Sequence, residues 1–322
     1  MKRYKELQRR HQVDLIAEGK IFDGIKGGGK YRGKKYDHIL QCGNSNLFDK
    51  IRISTIKYFK NNRINWWGGI EPSGNTLSSQ IACLNHLFLL RNDKQVLLDC
   101  LNNICGNCFK EVLPIPTWLD KEESTEHYIA FEAISNSEHL NENPSGGKRK
   151  RGSLITSIDA IIIAKDNNES IWIIPIEWKY TESYPNNDKS IEERLKRYSN
   201  LISESKQLVG IKDYHGSIYF QEPFYQLMRQ TLWAEQVLKN EPQEWQNATK
   251  YLHLHIVPKD NKELLTKTYR RFPFMKNGLE ETWKKCLKDE SLYKIVNPKD
   301  FLEPIKNKFP KLYEYLDTRY WK

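Results

Sequence analysis

Residues 157–182, SIDAIIIAKDNNESIWIIPIEWKYTE, decide how the rest of the chain is read. Both halves are dense in isoleucine and aromatic residues, the composition of strands, and Asp166-Asn167-Asn168 between them is turn-forming, so the segment predicts a β-hairpin. Inside strands apolar enough to be buried stand three ionisable residues, Asp159, Glu177 and Lys179. Charged side chains are seldom buried without a partner or a metal, and this pattern asks for one.

Working outward, the hairpin strands cover 154–164 and 170–180, with further strand candidates at HYIAFEAI (127–134) and YLHLHIVP (251–258). Apolar residues recur at helical spacing in 46–62 and 76–91 ahead of the strands, and in 191–208 and 224–239 behind the hairpin. The order is helix, three strands, helices, strand, which is an α/β core spanning 71–260. Residues 1–70 make a basic N-terminal helical region, in which GGGKYRGKK reads as a flexible basic loop. Residues 261–322 read as a C-terminal extension of short helices broken by Pro298, Pro304 and Pro310.

The 51 Lys and Arg residues outnumber the 41 Asp and Glu by enough to leave a charge of +10, the footprint of a protein that binds polyanions. No apolar run reaches the roughly 18 residues of a membrane-crossing helix, and the start MKRYKELQRRHQVDL lacks the apolar stretch of a signal peptide. A cytoplasmic protein without a membrane partner is expected, its cysteines reduced.

Strand geometry sharpens the question about the three charges. Side chains alternate faces, so Glu177 and Lys179 project from the same face roughly 7 Å apart in rise, and Asp159 on the neighbouring strand can meet them. Two carboxylates on adjacent strands supply the hard oxygen ligands that Mg²⁺ takes, with most of its octahedron left to water and phosphate oxygens. A lysine beside them can stabilise charge building at phosphorus or orient an attacking water.

Asp159 followed at a distance by Glu177-Trp178-Lys179, in this order of elements, resembles the PD-(D/E)xK nuclease superfamily over residues 76–258. The resemblance implies a restriction-endonuclease-like core of helix, three strands, helix and strand, with a mixed sheet flanked by helices. It implies hydrolysis of DNA phosphodiesters to 5′-phosphate products, with Mg²⁺ or Mn²⁺ as cofactor. Asp159 and Glu177 become metal ligands, Trp178 between Glu177 and Lys179 is counted in the metal site, and Lys179 is catalytic. PFYQLMRQTLWAE is similar to the glutamine-bearing helix of RecB-type nucleases, which adds Gln226 and Gln230. With LSSQIACLN, TSIDA and IEWKYTES it is most similar to a bacterial branch of restriction endonucleases. Members often carry a Glu on the first core helix, but TLSSQIACLNHLFLL has none, and Glu132 in AFEAI is the expected substitute carboxylate. Oligomeric state is left open, a homodimer included.

Several residues also have plainer readings. Asp159, Glu177 and Lys179 can be a structural ion pair, leaving a nucleic-acid-binding module without catalysis, although a buried pair contributes little stability. Cys105-Gly-Asn-Cys108 has metal-ligand spacing but no second paired motif, and His253 and His255 share a strand face with nothing else near them in sequence. Gly24 to Lys30 follows a phosphate-binding loop until Tyr31 replaces the required Ser or Thr. Trp66 and Trp67 can stack on bases or pack in the core. Lys148, Arg149, Lys150 and Arg151 can reach phosphates from the loop before Asp159, and Arg194 and Arg197 on the next helix can extend that surface or simply be solvated. Neutralising Lys148 to Arg151 together should weaken DNA binding and flatten its salt dependence, by roughly 0.9 in log–log slope for each phosphate they cease to neutralise. An unchanged slope in a salt titration would mean the loop touches no phosphate.

Overall fold

Local chemistry sets each element in turn. The structure is a computed structural model that describes residues 3–121, 126–143, 155–185, 187–267 and 278–322. The run Lys148-Arg149-Lys150-Arg151 lies outside the described residues. Helix α1 (Tyr4–Glu18) ends at Gly19, whose φ of +73° is the left-handed cap that glycine adopts without strain. A two-stranded ribbon follows, β1 (Gly29–Tyr31) and β2 (Lys34–Tyr36), turning through Arg32 and Gly33, both at positive φ as a tight hairpin requires. Next come α2 (Arg52–Asn61), α3 (Ser79–Leu87) and α4 (Lys94–Cys105). Ser78 and Asp93 start the last two by accepting from the amides of Ile81 and Val96.

The main sheet begins with β3 (Phe109–Leu113), β4 (Ala130–Ala133), β5 (Ile158–Asp166) and β6 (Ile171–Trp178). Helices α5 (Glu192–Glu204) and α6 (Phe224–Asn240) precede β7 (Lys250–Tyr251) and β8 (His253–Ile256). Past α7 (Lys262–Leu265) and α8 (Gly278–Lys284) lies β9 (Tyr293–Val296). The chain closes with α9 (Pro298–Phe301), α10 (Ile305–Lys308) and α11 (Pro310–Tyr320).

These seven strands form one mixed sheet in the order β3-β5-β6-β8-β9, with β4 also on β5 and β7 also on β6. β5 and β6 are the antiparallel hairpin expected, in register from Lys165↔Ile171 to Ala160↔Ile176, while β8 and β9 add in parallel. Pairing of β6 with β7 and β8 skips Ile174 and Pro175, where proline has no N–H to give. Alternate side chains feed two cores. Ala160, Ile162, Ile174 and Ile176 pack with α2, α3, α4 and α11, and Ile161, Ile163 and Ile173 pack with α5, α6 and α8. A sheet covered on both faces needs strands that are apolar throughout, which is why the hairpin sequence barely alternates. The result is the α/β core predicted, a mixed sheet flanked by helices.

Two readings need correction. GGGKYRGKK is no loop: its glycines allow the base of the ribbon to close, since a Cβ on Gly29 would lie 2.4 Å from the Leu40 carbonyl oxygen. The stretch 261–322 contains a strand, β9, and its prolines start helices rather than break them. Pro298 and Pro310 occupy the first turns of α9 and α11, where no N–H is needed, and Pro304 caps α10.

The two ends of the chain are locked to each other and to the core by Arg319 of α11, which is fully buried. Its guanidinium donates to the carbonyl of Asn46 at 2.7 Å, to the Asn46 side chain, to Tyr315 and to Gln12 Oε1 of α1 at 3.3 Å. Gln12 returns a bond to the Arg319 carbonyl at 2.8 Å. Tyr180, immediately after Lys179, donates to Gln8 of α1 at 2.7 Å, so this lock bears on the end of β6. Arg319→Met would strand the buried side-chain oxygens of Asn46 and Gln12, each worth about 1–3 kcal/mol, and should lower unfolding free energy by roughly 3 kcal/mol or more in a urea titration. A loss under about 1 kcal/mol would show that water replaces the guanidinium at no cost.

Candidate active site

The hairpin ladder stops at Ala160↔Ile176, and the next residues on each strand are Asp159 and Glu177. On the other edge of β5, Phe131 and Ala133 pair with Ala160 and Ile158, which sets Glu132 across from Asp159. Glu177 itself pairs with His255 of β8. Three adjacent strands thus bring Glu132, Asp159 and Glu177 side by side at the point where the ladder opens.

Lys179 follows just past the end of β6, held by a bond from its amide to the Ile256 carbonyl at 2.9 Å. Its Nζ forms an ion pair with Glu177 and donates to Gln226 Oε1 at 2.6 Å. Gln230, one turn along α6, donates from its Nε2 to the other oxygen of Glu177. The amide of Trp178 donates to Asp159 Oδ2 at 2.8 Å. The Trp178 side chain points to the opposite face, against His86 at 4.6 Å between ring centroids, and its carbonyl accepts from the Ser79 hydroxyl at 3.0 Å. That carbonyl, which keeps a second lone pair, is the only atom of Trp178 a metal could use.

Electrostatics follow from burial. Burial and the neighbouring Glu177 charge push the Asp159 carboxyl well above its ordinary range, partly offset by Lys179. Burial disfavours the Lys179 ammonium, but Glu177, Tyr184 and Asp159 outweigh it and hold Lys179 charged well above its ordinary range. His253 and His255 are fully covered beneath the site, and burial holds both neutral, His253 lowered to about 4.

Asp159, Glu177, Trp178 and Lys179 line the floor of a cleft of about 1320 Å³ that also takes in Gln226, Arg229 and Gln230 of α6. Its walls include Lys5 and Arg9 of α1, Lys30, Tyr31 and Tyr36 of the ribbon, and the loop from Trp67 to Asn75. Glu132 sits behind Asp159, at a φ of +49°, and accepts from Gln80 of α3 at 2.6 Å and from Ser157 at 3.4 Å. Arg194 and Arg197 are not brought to the cleft. Arg194 lies over the Tyr225 ring and donates to the Lys189 carbonyl, while Arg197 pairs with Glu193.

The chain matches the family described as restriction endonuclease associating with ARP over residues 11–321. It belongs to that family. No curated protein and no solved structure matches it. A restriction endonuclease family is a family of nucleases, the class expected from Asp159, Glu177 and Lys179, and its fold is compatible with the mixed sheet found here. No helix among the described residues is long and apolar enough to cross a membrane.

Two cleft residues of this family member escape a reading of the sequence. Gln80 stands on the first core helix, where the resemblance expects a Glu, and reaches Glu132 instead. Arg229 lies between the two glutamines, and nothing local marks it, because a lone helical Arg is usually solvated. Here it is held by Glu142, which accepts from its Nε at 2.9 Å and Nη2 at 2.8 Å as well as from Tyr198 and Thr156 at 2.7 Å. Burial raises the Glu142 carboxyl, but Arg229 and these donors outweigh that and hold it below its ordinary range. A lowered folded-state pKa contributes stability that is present above the unfolded value and lost as pH falls through the folded one. The melting temperature should therefore fall on acidification below roughly pH 4, the unfolded carboxylate range, and Glu142→Gln should lower it at neutral pH while flattening that acid limb. Equal acid limbs in the two proteins would remove Glu142 from the account.

Proposed function

We propose that the protein is a Mg²⁺-dependent endodeoxyribonuclease of the PD-(D/E)xK type, acting on DNA in the cytoplasm, with Mn²⁺ able to substitute. One observation carries this reading: Asp159, Glu177 and Lys179 converge at the floor of a single cleft walled by cationic side chains. The donor set fits the metal, because burial and the neighbouring Glu177 charge raise the cost of ionising Asp159, and a divalent cation held by the two carboxylates would relieve it. Asp159 and Glu177 would hold it, with the Trp178 carbonyl in reach from the same strand. When bound, the metal supplies Lewis acidity toward the scissile phosphate and the attacking water.

The chain's own groups do the positioning. The Trp178 amide fixes one oxygen of Asp159, and Gln230 fixes one oxygen of Glu177. Lys179, kept charged, has no lone pair to accept a proton, so it orients the nucleophile and stabilises negative charge growing on phosphorus. Gln226 holds its Nζ in place for that task.

The ribbon explains how a polyanion would be gripped. Lys30, Arg32, Lys34 and Lys35 are all exposed, and among the described residues none of them forms an ion pair. Lys30 stands directly opposite Lys35, a like-charge pairing that costs stability. Phosphates on either side of the cleft would offset that cost, and a two-stranded ribbon has the width of the major groove.

The competing reading, a binding module without catalysis, rests on the Lys179–Glu177 ion pair being structural. Asp159→Asn and Glu177→Gln should abolish plasmid cleavage while DNA is still bound. Lys179→Met should slow cleavage on the order of 10²-fold or more at unchanged DNA affinity, because its charge acts where the transition state builds its own. Measuring rate, affinity and melting temperature on the same preparations separates the readings: activity that declines only with the folded fraction would sink the catalytic role.

A further inference from the structure

The loop between α2 and α3 treats two neighbouring tryptophans in opposite ways. Trp66 is buried and stacks on Phe59 of α2 with ring centroids 3.8 Å apart and planes 11° from parallel. Gly69 returns its amide to the Trp66 carbonyl at 3.1 Å, closing a tight turn in which Gly68 takes a φ of +108°. That conformation belongs to the third position of a type II turn, where glycine is favoured. Trp67, the second residue of the turn, is left 67% exposed, and Ile70 just beyond it is 95% exposed. The Trp67 amide is pinned to Gln80 Oε1 at 3.0 Å, so the turn is fixed at both ends while its apolar tip projects.

Both residues line the same cleft as Asp159, Glu177 and Lys179. A tryptophan and an isoleucine are thus exposed together on a turn held by its own hydrogen bonds, an apolar tip that a partner can cover. Their surroundings say what would cover them. The cleft wall carries Lys5 and Lys30, neither of them in an ion pair among the described residues, a setting that attracts phosphates and in which a flat indole and a branched aliphatic group meet base faces.

We propose that Trp67 and Ile70 form a wedge that enters a base step of duplex DNA and unstacks it beside the carboxylate site. This deepens the nuclease reading and rests on it. Gln80 gives the wedge a mechanical link to that site, because the side chain that accepts from the Trp67 amide donates from its other end to Glu132, behind Asp159. Seating the wedge then sets the geometry of the acidic cluster as well as the path of the strand.

The test incubates plasmid fragments with the wild-type protein, separates complexes on native gels and probes them with permanganate, which oxidises unstacked thymines. Wild-type complexes should show new reactive thymines. The double variant Trp67→Ala/Ile70→Ala should lose them and bind on the order of tenfold more weakly, the equivalent of about one base–aromatic stack. A duplex carrying a mismatched step, already unstacked, should recover most of that affinity. Ile53→Ala, at another exposed isoleucine, on α2, that does not line the cleft, should change neither readout. If the double variant binds, cleaves and exposes thymines as the wild type does, the wedge is wrong and the nuclease reading stands. If the wild type neither binds nor cleaves DNA, the nuclease reading fails and takes the wedge with it.

Discussion

Two carboxylates and an ammonium at the open end of one hairpin ladder impose the constraint that the surrounding structure meets. Removing such charges from water costs several kcal/mol per ion before any attraction is counted, so each must be given partners in place of solvent. Glu177 receives Lys179 and Gln230, Lys179 receives Gln226, and Asp159 receives the amide of Trp178. Those partners dictate the architecture: α6 must lie against the β6 face so that its glutamines, one turn apart, point at the pair. A leucine and a methionine in place of Glu177 and Lys179 would pack there at less expense. The raised proton affinity of Asp159 has the same origin: burial and the Glu177 charge beside it both disfavour its ionised form.

Much of this was legible in the chain because the informative residues are local. The β5–β6 hairpin announces itself through two isoleucine-rich runs around Asp166-Asn167-Asn168, and the charges are conspicuous because they interrupt those runs. What escaped depends on distance or on backbone conformation. The ribbon strands are three residues long with charges on both faces, so neither alternation nor an apolar run marks them. β9 is only YKIV, and its partner β8 lies beyond α7 and α8. Gln80 and Glu132 stand far apart in sequence and meet only because β4 pairs with β5 beneath α3. Arg194 and Arg197 share a helix with apolar residues facing the core, and helical spacing alone does not reveal that neither cation turns toward the cleft.

Trp66 and Trp67 show the limit most sharply. Identical residues in adjacent positions have the same propensity and the same hydrophobicity, and the sequence offers either role for each. The turn decides. Once Trp66 is stacked on Phe59 and Gly68 adopts its positive φ, Trp67 has no route back to the core. Its exposure is a property of backbone geometry, fixed by glycine and by Gln80.

Where the positive charge resides matters more than its total. On α5 two of the three cations are answered on their own helix, Lys196 by Glu192 and Arg197 by Glu193, each four residues away. Such exposed pairs contribute little stability, but they cancel the local field. Arg229 is answered by Glu142, and Arg9 by Glu6. The ribbon breaks this habit, since none of its four cations is ion-paired among the described residues and two of them face each other. Of the four, Lys30 lines the cleft that Asp159, Glu177 and Lys179 also line. Lys179 differs from all of these: it is buried and its charge is matched by Glu177, so it adds little to the outer field and acts only within the cleft.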